Sequence, residues 1–198
     1  NKTDDEAEKK GPQDINDKIS AAKKHTAKGG LIKPAHNNEK KCSVDYTILL
    51  PQSTHIKMAH TDRGNITIKN SLKPIHAQTD RGSIFFDTIG NSAQAITKRG
   101  SIKITAKKLN KDHKIVATTD RGDINLEFPE KTPAKLYVKT EKGKVTSEHP
   151  ITLAQRTMLI SQKSVTEIRK DVTGFIESKN GPTIKLYSSK GNVRLVKV

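Results

Sequence analysis

The chain has 198 residues, 32% of them hydrophobic and 4% aromatic, with no Trp, so it holds one domain or one short repeat array around a slender core. Its 37 Lys and Arg outweigh 21 Asp and Glu, and the formal charge of +16 favours polyanionic partners: an acidic polysaccharide, a lipid headgroup or another polyanion. A single cysteine, Cys42, excludes an internal disulfide and a multi-cysteine zinc site, and no apolar run approaches the roughly 18 residues that cross a bilayer, so no transmembrane segment is expected.

The chain opens on Asn1 rather than Met, which reads as a processed form. Residues 1–41 are polar, with no aromatic and no Val, and read as a tail and linker. Within them Ile15, Ile19 and Ala22 fall at helical spacing behind Asp14, a possible N-cap for one short helix. This segment is flexible or short-helical on its own and could dock a protein partner. From Cys42 to Val198 the period changes to 2, beginning with Val44, Tyr46, Ile48 and Leu50 as an expected strand up to Pro51.

A repeat then sets the fold. "TDRG" occurs at 61–64, 79–82 and 119–122, with "TKRG" at 97–100 and "TEKG" at 140–143. The glycines Gly64, Gly82, Gly100, Gly122 and Gly143 stand 18, 18, 22 and 21 residues apart, and a further copy surrounds Gly191. Five residues before the first five glycines come Ala59, Ala77, Ala95, Ala117 and Val138, and three before them always a Thr; two after come Ile66, Ile84, Ile102, Ile124 and Val145. These offsets give one inward face on either side of a bend. Around Gly191, Leu186 and Ser188 precede while Val193 and Leu195 follow at matching offsets. The stretch 151–181 is degenerate, with Ser164 in the glycine place of one possible copy.

One turn glycine per unit and a period near 20 predict a rung that stacks on its neighbours. The expected fold is all-β: a parallel β-helix or β-solenoid of rungs of roughly 18–22 residues, residues 42–198, after the 1–41 tail. An antiparallel sandwich would give similar turn spacing but no fixed residue at each offset. The glycines Gly64, Gly82, Gly100, Gly122, Gly143 and Gly191 are structural corner residues in this reading, and the Thr before each can bond the stacked backbone.

The units "AHTDRGNITIKN", "VATTDRGDINLEFPEKTPAKLYVKTEKGKV" and "GPTIKLYSSKGNVRLVKV", led in by "VDYTILLPQSTHIKMAHTDRGNITI", resemble a bacterial adhesin-like β-strand-repeat domain of unknown function over about residues 44–198. The resemblance implies a right-handed β-helix, exported or cell-envelope associated, without enzymatic activity. The density of Arg and Lys at the turns departs from relatives that carry Ser or Asn there.

The residue before each glycine is Arg63, Arg81, Arg99, Arg121, Lys142 and Lys190. Stacked rungs would align these cations as a polyanion-binding ladder. Asp62, Asp80, Asp120 and Glu141, one residue earlier, could instead neutralise it, and oligomer contacts are a third use. "RGD" at 121–123 matches an adhesive tripeptide, but its Asp stands where Asn65, Ser83 and Ser101 stand in other copies, which makes it a chance match at a rigid corner.

The seven His form no ligand set, and no HExxH, CxxC or EF-hand loop occurs, so no metal and no cofactor is expected. Asp62 and Asp80 could meet as a carboxylate pair in a carbohydrate-active enzyme, but the short units offer no loop insertions to build a cleft. Aromatics are not interleaved with the basic residues, which excludes sequence-specific nucleic-acid recognition and leaves salt-sensitive contact. The expected protein is non-enzymatic, with an assembly module and a carbohydrate-active enzyme as the alternatives.

Overall fold

The structure is a computed structural model that describes residues 46–154, 166–168 and 171–198. The chain divides into Asn1–Thr47 and Ile48–Val198, and the fold below belongs to the second unit. The expected tail and short helix of residues 1–41 lie outside the described residues. All described regular structure is strand, and no described helix is long and apolar enough to cross a membrane.

Five rungs follow in chain order, each giving one strand to each of two sheets. They are β1 (Ile56–Arg63) and β2 (Ile66–Lys69), β3 (Ile75–Arg81) and β4 (Ile84–Ile89), β5 (Ala93–Arg99) and β6 (Ile102–Ala106), β7 (Lys114–Arg121) and β8 (Ile124–Phe128), and β9 (Ala134–Thr140) and β10 (Val145–Ser147). Then come β11 (Thr152–Leu153), β12 (Thr166–Ile168), β13 (Asp171–Ile176) and a last rung, β14 (Thr183–Lys190) and β15 (Val193–Lys197).

The first sheet runs β1-β3-β5-β7-β14-β9-β13-β11 and the second β12-β10-β15-β8-β6-β4-β2. All pairs between rungs are parallel, and equivalent residues are in register: Ala59, Ala77, Ala95, Ala117, Leu186 and Val138 form one column, and Ile66, Ile84, Ile102, Ile124, Val193 and Val145 another. Stacking therefore follows the offsets but not the chain order. The last rung inserts between the fourth and fifth, where β14 pairs with both β7 and β9.

The core is thin and continuous, as few medium-sized side chains allow. Buried Ala77, Ala95 and Ala117 on the first sheet accompany Phe86, Ile104 and Leu126 on the second; where the second sheet shrinks to Ser147, the first supplies Val138. Columns thus trade volume between sheets, which keeps the interior filled.

Two expectations need correction. Tyr46, Ile48 and Leu50 form no strand and are 74%, 74% and 51% exposed, because alternation makes a strand only when a sheet edge pairs with it. The degenerate stretch holds no parallel rung among its described residues: β12 pairs antiparallel with β10, β11 with β13, and β13 with β9, closing that end of the stack. Ser164 lies outside the described residues.

Candidate functional site: the stacked corners

Each corner is built from four recurring positions. At the first, a buried hydroxyl donates to the carbonyl of the glycine one rung below: Thr79 to Gly64 at 3.2 Å, Thr97 to Gly82 at 2.9 Å, Thr119 to Gly100 at 3.0 Å, Ser188 to Gly122 at 3.0 Å and Thr140 to Gly191 at 2.7 Å. This bond satisfies an otherwise stranded corner carbonyl.

At the glycine itself the rungs touch. A Cβ on Gly82, Gly100, Gly122, Gly191 or Gly143 would fall 1.9–2.1 Å from the carbonyl oxygen of the glycine below, in the order 64, 82, 100, 122, 191 and 143. No side chain fits such an approach, so the glycine column is a packing requirement.

The residue after the glycine carries a third ladder that the repeat spacing alone did not reveal. Asn65 Oδ1 accepts from Ser83 N–H, Ser83 Oγ from Ser101 N–H, Ser101 Oγ from Asp123 N–H, Asp123 Oδ1 from Asn192 N–H and Asn192 Oδ1 from Lys144 N–H, at 2.7–3.3 Å. The available signal was that five of the six residues here, all but Lys144, carry a short hydrogen-bond acceptor. The Asp of "RGD" is therefore a link in this ladder, bonded to Asn192 at 2.7 Å.

That leaves the residue before the glycine. Arg63, Arg81, Arg99, Arg121 and Lys190 are in register on adjacent strands, and Lys142 follows beside Lys190, its N–H donating to Ser189 at 2.9 Å. At about 4.8 Å per rung the six span about 24 Å. Their carbonyls serve the corner: those of Arg81, Arg99, Arg121 and Lys190 accept from Gly64, Gly82, Gly100 and Gly122 at 2.9–3.2 Å. All six side chains are exposed, and none forms an ion pair among the described residues.

Three of the four carboxylates one residue earlier, Asp62, Asp80 and Glu141, bond elsewhere. Asp80 pairs with Lys98 at 2.9 Å and Asp62 with His60 at 3.3 Å. Glu141 accepts from Tyr187 OH at 2.5 Å and Ser189 Oγ at 2.9 Å, and the Tyr187 bond first, then the Ser189 bond, hold its carboxyl below the usual range, while the bond to Glu141 raises the Tyr187 hydroxyl. None of them bonds an Arg of the column.

A second cationic feature carried no sequence signal. A groove of about 320 Å³ on the first sheet is lined by His55, Lys57, His76, Gln94 and Lys114 among others, with no carboxylate, and His76 Nε2 is buried there without a partner. It arises from register, which brings residues of four rungs together. Among the described residues no three His, Cys, Asp or Glu side chains gather to hold a metal.

Parallel sheets stacked on a glycine corner define a β-solenoid repeat domain. The chain belongs to the Toastrack DUF4097 family, whose model matches residues 54–196. No curated protein matches it, and no solved structure does.

Proposed function

We propose that this domain is a non-catalytic, exported or envelope-associated module that binds a polyanion, an acidic polysaccharide or clustered lipid headgroups, along its column of corner cations. One observation carries the reading: in a corner whose Thr, Gly and Asn/Ser/Asp positions all have structural duties, the cation column is the position with free side chains. Neighbouring unit charges about 5 Å apart repel by roughly 1 kcal/mol even in water. A repeating anion relieves that repulsion, and the Arg fork grips phosphate, sulfate or carboxylate with two bonds.

The test is elution from immobilised heparin over a salt series, comparing the intact chain with an Arg63/Arg81/Arg99/Arg121→Ser variant. We expect the variant to keep its β circular dichroism, elute at lower salt, and lose up to about four from the slope of log affinity against log salt. Equal elution of the two proteins would defeat the proposal.

A further inference from the structure

The first rung forms the end of the stack opposite the antiparallel strands, and among the described residues nothing pairs with it. β1 and β2 are the edges of their sheets. Ala59 and Ile66 are only partly buried, whereas their counterparts Ala77, Ala95, Ala117, Ile84, Ile102 and Ile124 are at most 1% exposed. Thr61, with no glycine carbonyl beneath it, donates to Arg63 O at 3.1 Å instead.

The backbone of β2 is set for another strand. Ile66 N–H donates to Ser83 O, Ile84 to Ser101, Ile102 to Asp123 and Ile124 to Asn192, at 2.9–3.0 Å. The carbonyl after each corner glycine thus points back one rung, and Asn65 O of the first rung points to the open side.

A matching segment lies upstream. Ile48 and Leu50 precede Ile66 and Ile68 by 18 residues, as those precede Ile84 and Phe86. Leu50 and Ala59 are nine residues apart, as Ile68 and Ala77 are. The connection is already bent, since Thr54 N–H donates to Pro51 O at 2.9 Å. Ile48, Leu49 and Leu50 are 74%, 92% and 51% exposed.

We propose that Ile48–Leu50, exposed and outside any strand in this structure, docks to close this end, adding in parallel to β2 with Ile48 beside Ile66 and Leu50 beside Ile68. Ile48 N–H then donates to Asn65 O, and Ile48 and Leu50 cover the first rung's core residues. Leu49 faces outward with Thr67, Phe85 and Lys103, which share one outer column. The equal nine-residue spans identify the occupant as this chain's own segment, because strand supply by a second copy requires no such match.

The proposal is tested by oxidative crosslinking in a Cys42→Ser background. Leu49→Cys with Thr67→Cys places two thiols on adjacent strands, about 4.8 Å apart and within disulfide reach, whereas Leu49→Cys with Lys103→Cys spans three strand spacings, about 14 Å. We expect the first pair to close within the monomer at a rate independent of protein concentration, and faster than the second. A concentration-dependent covalent dimer would assign the edge to a second copy, and equal rates for the two pairs would leave the end open; either overturns the proposal. A second readout uses parity: Ile48→Lys with Leu50→Lys is expected to lower the unfolding midpoint and Leu49→Lys to leave it unchanged. Equal midpoints for these variants would also count against closure.

Discussion

Gly64 and Gly100 occupy equivalent corners, and both have positive φ, +135° and +151°. Their surroundings differ. A Cβ on Gly100 would meet Gly82 O at 2.0 Å, while one on Gly64 finds nothing nearer than Thr61 Oγ1 at 3.8 Å. Gly64→Ala should cost about 1 kcal/mol for its backbone conformation alone. Gly100→Ala must also push stacked rungs apart and weaken the Thr97 and Thr119 bonds around that corner, so about 3 kcal/mol or more is expected. Urea midpoints of the two variants compare them directly, and equal losses would mean that stacking is not what selects glycine. His149 gives a second residue-scale expectation. It is buried and stacked on Phe128 with ring centroids 3.9 Å apart, and burial pushes its pKa below the ordinary 6.5, against the opposing bond to Val196 O. The unfolded chain therefore takes up this proton before the folded chain does, and stability falls as pH drops below 6.5 until the folded group also titrates. His149→Leu should flatten that slope below about pH 6.5, measured by urea unfolding at each pH. An unchanged slope would assign the pH dependence to other groups.

At the scale of elements, the strands are legible wherever a corner fixes their parity. The offsets −5, −3, +2 and +4 around each glycine are inward in β3 and β4, as in β5 and β6, and the buried residues Ala77, Thr79, Ile84 and Phe86 follow them. The stretch from Ile151 to Ile176 was not legible as rungs because β11 and β13 pair antiparallel, and an antiparallel end strand needs no corner glycine and no repeat register. Ile48 to Leu50 shows the reverse difficulty: the apolar run is plain, but a strand also needs an edge, and the open edge of β2 appears only once the rungs are stacked. For the site, the cation column could be read from recurrence, since register follows from equal offsets. The bonds of the carboxylates could not. Asp80 meets Lys98 rather than an Arg because adjacent residues on a strand face opposite sides, and Lys98 lies one rung on at the same offset as Asp80. The groove around His76 depends on residues from four rungs whose spacing follows no motif.

At the scale of the whole molecule, the order of rungs in space departs from their order in the chain. The chain passes from β8 to β9 leaving one strand position in each sheet, and only the last residues fill it, with β14 between β7 and β9 and β15 between β8 and β10. In a stack held by nearest-neighbour contacts, an end rung contributes one interface and an inner rung two. Here the C-terminal rung is an inner rung. Amides of β14 and β15 should therefore exchange with solvent as slowly as those of β7 and β8, against the usual rule that chain ends fray first. A chain ending at Pro182 loses both interfaces at once and leaves the fourth rung and the fifth with no partner between them, so it should show no cooperative urea transition by circular dichroism. A chain beginning at Lys73 loses only the first rung and should still unfold cooperatively at a lower midpoint. If the Pro182 truncation unfolds cooperatively instead, β7 and β9 can stack directly, and the inserted rung is an addition to a complete solenoid rather than the piece that joins its two halves.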